Sequence, residues 1–413
     1  MQSRTTRELI LSRRLALLTQ QYIPEPAASG QLAADLARGL VEQGLQVTVY
    51  TAQPSYSVHM RRDRSEIEDG VQVRRVISVR ADRHRTMSRL LSAGSFCLSV
   101  LGRLAFSRRS SLLVFSNPPM LFWVAWVLNR IRGFPYTLVI HDVYPDVAIR
   151  LGVLSEKGVA ARLWRLLNRC ACKRARAIIV LSERMREVLA EHPGVDREKL
   201  VVIHNWADPA WIRPLDKGEN PFVHEQGLSE KLVVLYSGNM GRHHDLETLI
   251  EAADRCREKP DVLFLFIGDG AKKGALMARA GEKGLGNVRF LPYQPLDRLP
   301  YTIPAADIGV VTLERGVEEL SVPSKLYAYL AAGVAILGVV GQDSTVADVI
   351  EEFDCGFRVD QMDVTSVVEA LERWASQPAL LDRHKRNARR ALEERFTRSQ
   401  ALRRYIEVLS LTH

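Results

Sequence analysis

The sequence predicts an α/β protein built from two doubly wound domains, each around a largely parallel sheet. Short β-branched segments alternate with segments of helical periodicity along nearly the whole chain. This alternation breaks once, in a stretch rich in Pro, Gly and charge, and then resumes. The chain has 413 residues, 46% of them apolar and 25% charged, which suffices for two or three well-packed domains and is not typical of a disordered protein.

The first series of elements begins with a predicted strand at 14–19 and a helix at 30–43. In that helix Leu32, Leu36 and Leu40 recur at helical spacing, and Gly44 stands where a C-cap is expected. Further strands are predicted at 46–51, 71–79, 112–115, 136–140, 177–181 and 200–203, with helices at 155–173 and 182–191. This β-α-β succession predicts a parallel sheet covered on both faces. The first domain is predicted to span 1–210, with 1–13 a disordered or additional extension.

A linker and a second series of elements follow. Residues 208–230 are rich in Pro, Gly and charge, so the linker is placed at 211–230. The second domain is predicted to span 231–390, and a C-terminal helix at 391–413 is expected to pack back on the first domain. Two such domains facing each other create a cleft between the carboxyl ends of their strands. The predicted strands of this series are 232–236, 262–267, 288–291, 307–312, 334–338 and 356–359, followed by a helical tail at 364–411 with breaks near 377–378 and 397.

The charges are unevenly distributed along the chain. The formal net charge is +9, but residues 1–215 carry 32 basic and 18 acidic side chains, a balance of +14 that leaves −5 for the remainder. Such a basic half fits a polyanionic partner, either nucleic acid or an anionic membrane. No nucleic-acid-binding motif accompanies these arginines, which are spread over many predicted helices, so no nucleic-acid partner is predicted.

The sequence predicts neither a secretion signal nor a membrane span. The basic N-terminus lacks a long apolar core before Arg13. Of the two most apolar stretches, 90–106 contains Arg103 and 112–128 contains a Ser-Asn-Pro-Pro break, so both are expected to form a buried strand and amphipathic helices. Five scattered cysteines without a CxxC pair fit a reducing compartment, and a cytoplasmic protein is predicted.

The loop after the first strand of the second domain suits an anion. It contains Gly238, Asn239, Gly241 and Arg242 and leads into a helix predicted from about residue 245. Glycines let backbone N–H groups approach a phosphate, the helix N-terminus favours negative charge, and arginine offers a forked cation. The alternative is a tight turn with a solvated arginine. The loop has neither the GxGxxG pattern nor a Walker motif, which disfavours classical dinucleotide binding and ATP hydrolysis.

A second anion-binding pattern lies at 322–333, VPSKLYAYLAAG. Pro323 suits the first turn of a helix, and this places Ser324 and Lys325 in that turn. A cation at a helix N-terminus is disfavoured by the helix dipole, so a lysine there indicates a bound anion. The alternative is a surface lysine beside a solvated loop.

Two further candidate sites belong to the first domain. His141 and Asp142 follow a strand and are predicted to lie at its carboxyl end, where ligands bind in this fold, although His141 could instead be satisfied by Asp142 alone. Ser29 and Gly30 end a long loop and could donate backbone N–H groups to a diphosphate or sugar, or belong to an ordinary βα loop. Adjacent histidines 243 and 244 have no evident Cys or His partners, and no Asp-x-Asp occurs, so no metal site is predicted.

These motifs, in this order, resemble the retaining GT-B glycosyltransferases of family 4, notably bacterial members that build exopolysaccharide, O-antigen and colanic-acid-type repeats. The resemblance extends from about residue 15 to 409 and depends on the order and spacing of its motifs more than on any one of them. The motifs are QYIPEPAASG (21–30), HDVYPD (141–146), HNWAD (204–208), YSGNMGRHHDLETLIEA (236–252), FIGDG (266–270), VRFLPYQP (288–295) and VPSKLYAYLAAG (322–333).

The resemblance implies two Rossmann-like domains, with the acceptor bound mainly to the first and the nucleotide sugar to the second. Arg242 and Lys325 are implied to hold the donor diphosphate without a metal or other cofactor. His141 is implied to lie close to the reacting sugar, and Asp142 and Glu319 complete the predicted catalytic set. The predicted donor-binding residues are Gly238, Asn239, Gly241, Arg242, Gly268, Tyr293, Pro323, Ser324 and Lys325.

One position departs from the pattern of the family. Its members usually carry two glutamates separated by seven residues, the second of which binds the donor ribose. Here the second position is Ala328 and the first is Leu320, preceded by Glu318 and Glu319. Because the two cationic residues of the family pattern, Arg242 and Lys325, are both present, we expect an active enzyme. It is expected to transfer a sugar from a UDP-sugar to a glycan or lipid-linked acceptor. The alternatives are an inactive nucleotide-sugar-binding homologue and a sugar-nucleotide 2-epimerase.

The resemblance also favours one partner for the basic half. That half becomes the acceptor domain, and its arginines at 74, 75, 80, 83, 85 and 89 precede the apolar stretch 90–106, which Arg103, Arg108 and Arg109 close. Near an anionic leaflet each basic residue can contribute roughly 1 kcal/mol. The sequence therefore predicts reversible binding to an anionic membrane surface, at the inner face of the plasma membrane.

Overall fold

The computed structural model describes residues 14–25, 27–54, 62–80, 86–241 and 244–411. The predicted extension at 1–13 lies outside these described residues. The chain divides into two compact units, one comprising Met1–His204 with Leu402–His413 and the other Asn205–Ala401. Both are α/β units with parallel sheets, as the sequence predicts.

The described part of the first unit contains one eight-stranded sheet, in the order 3-4-2-1-5-6-7-8. All neighbouring strands are parallel except β3 and β4. Its elements are β1 (Arg14–Leu18), α1 (Ala28–Glu42), β2 (Gln46–Thr51), β3 (Ser65–Glu68), β4 (Val71–Arg75), α2 (Thr86–Ala105), β5 (Ser111–Phe115), α3 (Leu121–Arg132), β6 (Tyr136–Ile140), α4 (Asp146–Arg150), α5 (Val159–Arg174), β7 (Ile178–Val180), α6 (Glu183–Ala190) and β8 (Leu200–Val202).

The apolar stretches of this unit fold as buried strand and packed helix. The stretch 112–128 divides into β5 and α3, which is the expected outcome, because the Pro118-Pro119 pair lies between them. All five residues of β6 are buried, which is typical of a parallel strand covered on both faces. The sequence missed the edge strand β3 and the short helix α4, and it extended the strand of β4 beyond Arg75.

The described second unit contains a six-stranded, fully parallel sheet in the order 11-10-9-12-13-14. The predicted tail breaks are confirmed at Gln377 and Thr397, between successive helices. Its elements are α7 (Pro221–Gln226), β9 (Leu232–Asn239), α8 (Glu247–Arg255), β10 (Val262–Asp269), α9 (Lys273–Glu282), β11 (Val288–Leu291), α10 (Leu299–Thr302), β12 (Ile308–Thr312), α11 (Lys325–Ala332), β13 (Ala335–Val339), α12 (Thr345–Phe353), β14 (Gly356–Val359), α13 (Val364–Ser376) and α14 (Pro378–Arg395). The last helix, α15 (Arg398–Leu411), begins in this unit and from Leu402 belongs to the first unit.

The strand order places a topological switch between β9 and β12. From β9 the chain first continues to β10 and β11 on one side and later to β12 on the other. In open sheets of this kind, ligands bind outside the carboxyl ends of the strands at the switch. Among the described residues no helix is both long and apolar enough to cross a membrane.

Candidate functional site

Lys325 is the central residue at the switch point of the second unit. It is the first residue of α11, the helix that follows β12, and Ser324 precedes it as N-cap without a side-chain capping bond. The Lys325 Nζ atom is buried, lies 3.8 Å from the centroid of the Tyr236 ring and has no hydrogen-bond partner among the described residues. Burial lowers the pKa of Lys325 to about 7. A buried amine without an acceptor is costly, and a bound anion would offset that cost.

Two tyrosines position the surroundings of Lys325. The Tyr329 hydroxyl accepts a hydrogen bond from the Ser237 N–H (2.9 Å) and donates one to the Leu235 carbonyl (3.1 Å), which fixes α11 to the end of β9. Gly309 on β12 makes room for this ring, because a Cβ there would lie 2.5 Å from it. The Tyr236 hydroxyl donates to the Asn239 carbonyl at 2.7 Å and so orders the loop that follows β9.

The glycine loop after β9 is held close to β10. The two strands stay paired as far as Gly238–Gly268 and Asn239–Asp269, two rungs beyond Ser237. Gly268 has a φ of +139°, and a Cβ there would lie 2.0 Å from the Gly238 carbonyl oxygen, so only glycine fits. Glycine at position 268 therefore permits the close approach of the β9 and β10 backbones. This requirement for glycine is separate from any contact with the donor.

The loop also approaches Lys325 directly. A Cβ on Gly238 would lie 3.7 Å from the Lys325 Cε atom, and a Cβ on Gly241 would lie 2.8 Å from the Asn239 Nδ2 atom. The predicted donor residues Gly238, Asn239, Gly241, Pro323, Ser324 and Lys325 thus belong to two segments that meet at the carboxyl ends of β9 and β12. Arg242 lies outside the described residues, and its predicted role stays a prediction.

Lys272 fixes both ends of the segment that contains Arg242. Its backbone N–H donates to the Met240 carbonyl at 3.0 Å, and its Nζ donates to the His244 carbonyl at 2.7 Å. The same Nζ donates to Glu247 at 2.9 Å and to Glu314 at 2.7 Å. Burial lowers the pKa of Lys272, but the hydrogen bonds to the two carboxylates outweigh burial and raise it above its usual value.

The acidic residues before α11 have different environments. Glu318 is buried and accepts hydrogen bonds from the Gln361 Nε2 (2.7 Å) and from the Gly316 N–H. Glu319, the predicted catalytic carboxylate, is half-buried, and Leu320 is only 3% exposed. Ala328, at the position where the family resemblance places a ribose-binding glutamate, is half-buried and lies one turn beyond Lys325 on α11. A residue at this spacing shares the helix face of Lys325.

The predicted donor-binding residue Tyr293 follows β11, the edge strand of the sheet. Its ring is 36% exposed, whereas Phe290 stacks on Phe266 with ring centroids 4.9 Å apart. Burial, together with the nearby hydroxyls of Tyr329 and Tyr293, raises the pKa of Tyr236.

In the first unit, His141 and Asp142 lie directly at the carboxyl end of β6. The His141 N–H donates to the Ser116 Oγ atom at 2.9 Å, and its ring lies 5.2 Å from the Phe115 ring between centroids. Burial lowers the pKa of His141, an effect that the Asp142 carboxylate opposes. The imidazole is therefore neutral near pH 7 and can exchange hydrogen bonds with an uncharged hydroxyl.

Ser29 and Gly30 belong to a polar cluster at the switch between β1 and β5. The Ser29 Oγ donates to Gln21 at 2.9 Å, and the Asn117 Nδ2 reaches both Gln21 (2.7 Å) and Ser29 (3.1 Å). The Gly30 N–H donates to the Ala27 carbonyl at 3.0 Å. A Cβ on Gly30 would lie 3.1 Å from the Tyr22 nitrogen, so Gly30 lets α1 pack close to the loop at 21–22.

Comparison with known proteins identifies the fold family. A family model described as "Glycosyl transferase 4-like domain" matches residues 28–206, and a model described as "Glycosyl transferases group 1" matches residues 219–391. The chain belongs to the family 4 glycosyltransferases. This confirms the GT-B assignment and the prediction of a transferase, and it removes the support for a 2-epimerase because both models describe transferases.

Three similar proteins illustrate the breadth of this glycosyltransferase family. The putative colanic acid biosynthesis glycosyl transferase WcaI of Escherichia coli is 29% identical over 93% of this chain and 97% of its own length. The sucrose-phosphate synthase of Thermosynechococcus elongatus superposes with a TM-score of 0.77 at 17% identity, covering 97% of this chain and 98% of its own. Anabaena HepE, solved with UDP and glucose, has a TM-score of 0.74 at 15% identity, covering 97% and 100%.

The structure of this glycosyltransferase also shows residues that the sequence did not single out. Lys272 and Tyr329 hold the glycine loop and α11 in place through hydrogen bonds to carbonyls and amides distant in sequence. A tyrosine inside the apolar helix LYAYLAA was a visible signal for Tyr329. Lys272 had none, since lysines on loops are common. No group of three or more His, Cys, Asp or Glu that could hold a metal occurs in the described part of the chain, and metal independence stays a prediction.

Proposed function

We propose that this glycosyltransferase transfers a sugar, with retention of anomeric configuration, from a UDP-sugar to a lipid-linked acceptor in bacterial polysaccharide synthesis. The buried, unpaired Lys325 amine at the N-terminus of α11 carries the proposal, because a diphosphate is the partner that this position lacks. The name of WcaI supports polysaccharide synthesis, and the UDP bound to HepE supports a UDP donor.

In the proposed reaction, the bond between the anomeric carbon and the donor phosphate breaks, and negative charge grows on the leaving UDP. Lys325, the N-terminal N–H groups of α11 and Arg242 stabilise this charge. The departing phosphate oxygen accepts the proton of the acceptor hydroxyl, so a separate protein base is not required. Removal of one such charge-stabilising group typically costs about 10²- to 10³-fold in rate.

His141 and Asp142 are proposed to serve the sugar end of the donor. A neutral imidazole at the carboxyl end of β6 can accept a hydrogen bond from a sugar hydroxyl, and the lowered pKa of His141 keeps it neutral. The Asp142 carboxylate limits this lowering of the His141 pKa. No protein metal site enters the proposal.

The donor proposal is tested by turnover and by product stereochemistry. UDP-, GDP- and ADP-sugars are offered with a lipid-linked acceptor, nucleotide release is measured, and the anomer of the product is determined by NMR. We expect UDP release that depends on the acceptor, retention at the anomeric carbon, and loss of about 10²-fold in Lys325→Ala. Wild-type turnover in that variant would refute the assignment, and donor hydrolysis or epimerisation without acceptor would refute transfer.

We also propose that α2 binds an anionic membrane surface. Its exposed apolar side chains recur at helical spacing on one face, while Phe96, Val100 and Leu104 pack into the core from the adjoining face. Arg89 and Arg103 are exposed residues of the same helix. The exposed apolar residues of this surface are Met87 (70%), Leu90 (46%), Leu91 (62%) and Leu98 (70%), followed directly after the helix by Phe106 (93%).

Vesicle flotation tests the membrane proposal. Binding to vesicles containing an anionic phospholipid is expected to exceed binding to neutral vesicles and to weaken at high salt. Leu91→Glu is expected to weaken binding, whereas Ile67→Glu, at an exposed apolar position on β3, serves as a control that leaves it unchanged. Equal partitioning to neutral and anionic vesicles would contradict the proposal.

A further inference from the structure

The first unit contains a cavity of about 460 Å³ beside the carboxyl end of β6. Its walls come from the segment 140–146, from α3, from α5 and from the loop after α6. Phe122, Val143 and Leu189 are buried residues of these walls, and Leu166 lines the cavity from α5 while 55% of its surface remains exposed. Cavities of this size suit a small molecule or part of a larger one.

The cavity borders the predicted catalytic segment 141–142 without including His141. Ile140 and Asp142 line it, whereas the His141 ring contacts Phe115. Asp142 is therefore shared between the cavity and the predicted catalytic segment. A molecule in the cavity would lie beside Asp142, the residue that follows the proposed sugar-binding His141.

The walls are largely apolar, which disfavours a sugar ring as the occupant. A sugar needs a polar partner for most of its hydroxyls, because unpaired buried hydroxyls are costly. The walls instead present aliphatic, aromatic and proline side chains, including Pro119, Pro145 and Pro193. Such a lining suits a hydrocarbon chain.

Charged side chains also line the cavity. Arg165 and Arg169 are exposed residues of α5 that line the cavity. Arg165 contacts Asp146 only at 3.4 Å and Glu156 at 3.6 Å, and one buried oxygen of Asp146 has no hydrogen-bond partner within the described structure. Long, partly exposed ion pairs are weak, so Arg165 can turn toward a phosphate at little cost. Asp146 then keeps its contact with His192 Nε2 at 3.6 Å.

An exposed apolar stripe leads away from the cavity along α5. Val159 (80% exposed), Leu163 (53%) and Leu166 (55%) recur at positions i, i+4 and i+7 and so share one face of the helix. Leu166 belongs both to this stripe and to the cavity lining. Arg162 and Lys173, both exposed, lie beside the same face.

We propose that this cavity holds the hydrocarbon chain next to the phosphate of a lipid-linked acceptor. The phosphate lies against Arg165 and Arg169, the first carbons occupy the apolar cavity, and the chain continues past Leu166 along α5. This inference rests on the proposed function, in which the acceptor is lipid-linked. The cavity is then the part of the protein that recognises the lipid, and α5 is a second surface, besides α2, that faces the lipid.

Calorimetric titration of the intact protein with octyl phosphate, below its micelle concentration and without donor, tests this site. We expect binding at least tenfold tighter than that of inorganic phosphate, with a negative heat-capacity change from apolar burial. Equal binding of inorganic phosphate would overturn the proposal, because it would indicate an anion site alone.

A matched pair of variants on α5 places the binding. Leu166→Asp is expected to weaken octyl phosphate binding about tenfold or more. Leu163→Asp, three residues earlier, comparably exposed and outside the cavity lining, should leave binding of this short probe unchanged, because the proposed path reaches Leu163 only with a chain longer than octyl. Val195→Trp, which narrows the cavity without adding charge, is expected to act like Leu166→Asp. Equal losses in Leu163→Asp and Leu166→Asp would indicate adsorption to the helix surface and would refute the cavity assignment.

Transfer assays separate this inference from the proposed function. Octyl phosphate binding without transfer to any lipid-linked acceptor would refute the proposed acceptor class and leave the cavity assignment standing. Transfer to a lipid-linked acceptor that is unchanged in Leu166→Asp and Val195→Trp would refute the cavity assignment and leave the proposed function standing.

Discussion

Substitution of Lys325 by methionine is expected to slow transfer about 10²-fold and, at the same time, to stabilise the fold. Burial without a partner lowers the pKa of Lys325 from 10.5 to about 7. At about 1.36 kcal/mol per pKa unit, holding the ammonium in the folded state at pH 7 or below costs up to about 5 kcal/mol. Relaxation of the site and water entry reduce this figure, so we expect a measured gain of about 1–3 kcal/mol.

The sign of the pH dependence follows from the lowered pKa. Because the folded-state pKa lies below the unfolded value of 10.5, the destabilisation is fully present below about pH 7 and disappears as the pH rises toward 10.5. The advantage of Lys325→Met over the wild type should therefore shrink between pH 7 and pH 10. Donor binding shows the complementary effect: above about pH 7 UDP must bring a proton with it, and its affinity should fall by up to about tenfold per pH unit.

The assay combines chemical unfolding, UDP titration and initial rates. Lys273→Met is the matched control, since Lys273 is the first residue of α9, near the same loop, but already donates a hydrogen bond to the Gly268 carbonyl at 2.9 Å. Its loss is expected to destabilise the fold by about 1 kcal/mol. The reasoning is refuted if Lys325→Met is destabilised to a similar degree, or if it keeps its UDP affinity and turnover.

Three further substitutions test the site and the core. Lys272→Met should raise the KM for donor about tenfold, because it releases the loop held at the His244 carbonyl. The melting temperature of the first unit should change little. An unchanged KM would contradict the positioning role of Lys272. Ala328→Glu should tighten UDP binding about tenfold by restoring a ribose acceptor, measured by calorimetry, and an unaltered Kd would show that the ribose is bound elsewhere. His384 is buried, and its Nδ1 accepts a hydrogen bond from the Trp374 indole N–H at 3.1 Å. Burial lowers the pKa of His384, so its contribution to stability is complete above about pH 6.5 and is lost as the pH falls. The urea midpoint of the wild type should therefore drop between pH 7.5 and pH 5, and the midpoint of His384→Gln should drop less.

The sequence determined the fold class because its information is local and periodic. Alternation of buried strands and amphipathic helices suffices to predict two parallel-sheet units, and the breaks at Gln377 and Thr397 follow from local helix-ending signals. The sequence also selected the two segments that meet at the switch point. It failed at β3 and α4, since a short edge strand and a single helical turn carry too few periodic positions to be recognised.

Only the tertiary structure decided what each selected residue does. The sequence placed Lys325 at a helix N-terminus, but its burial against the Tyr236 ring without an acceptor depends on β9, β12 and α11 meeting in space. Gly268 was predicted to contact the donor, and that contact stays a prediction. Its positive φ, and the Gly238 carbonyl oxygen 2.0 Å from where a Cβ would lie, show a separate requirement of strand pairing. The role of Lys272 and the cavity lined by Leu166 arise from residues far apart in the chain, and no local pattern encodes such contacts.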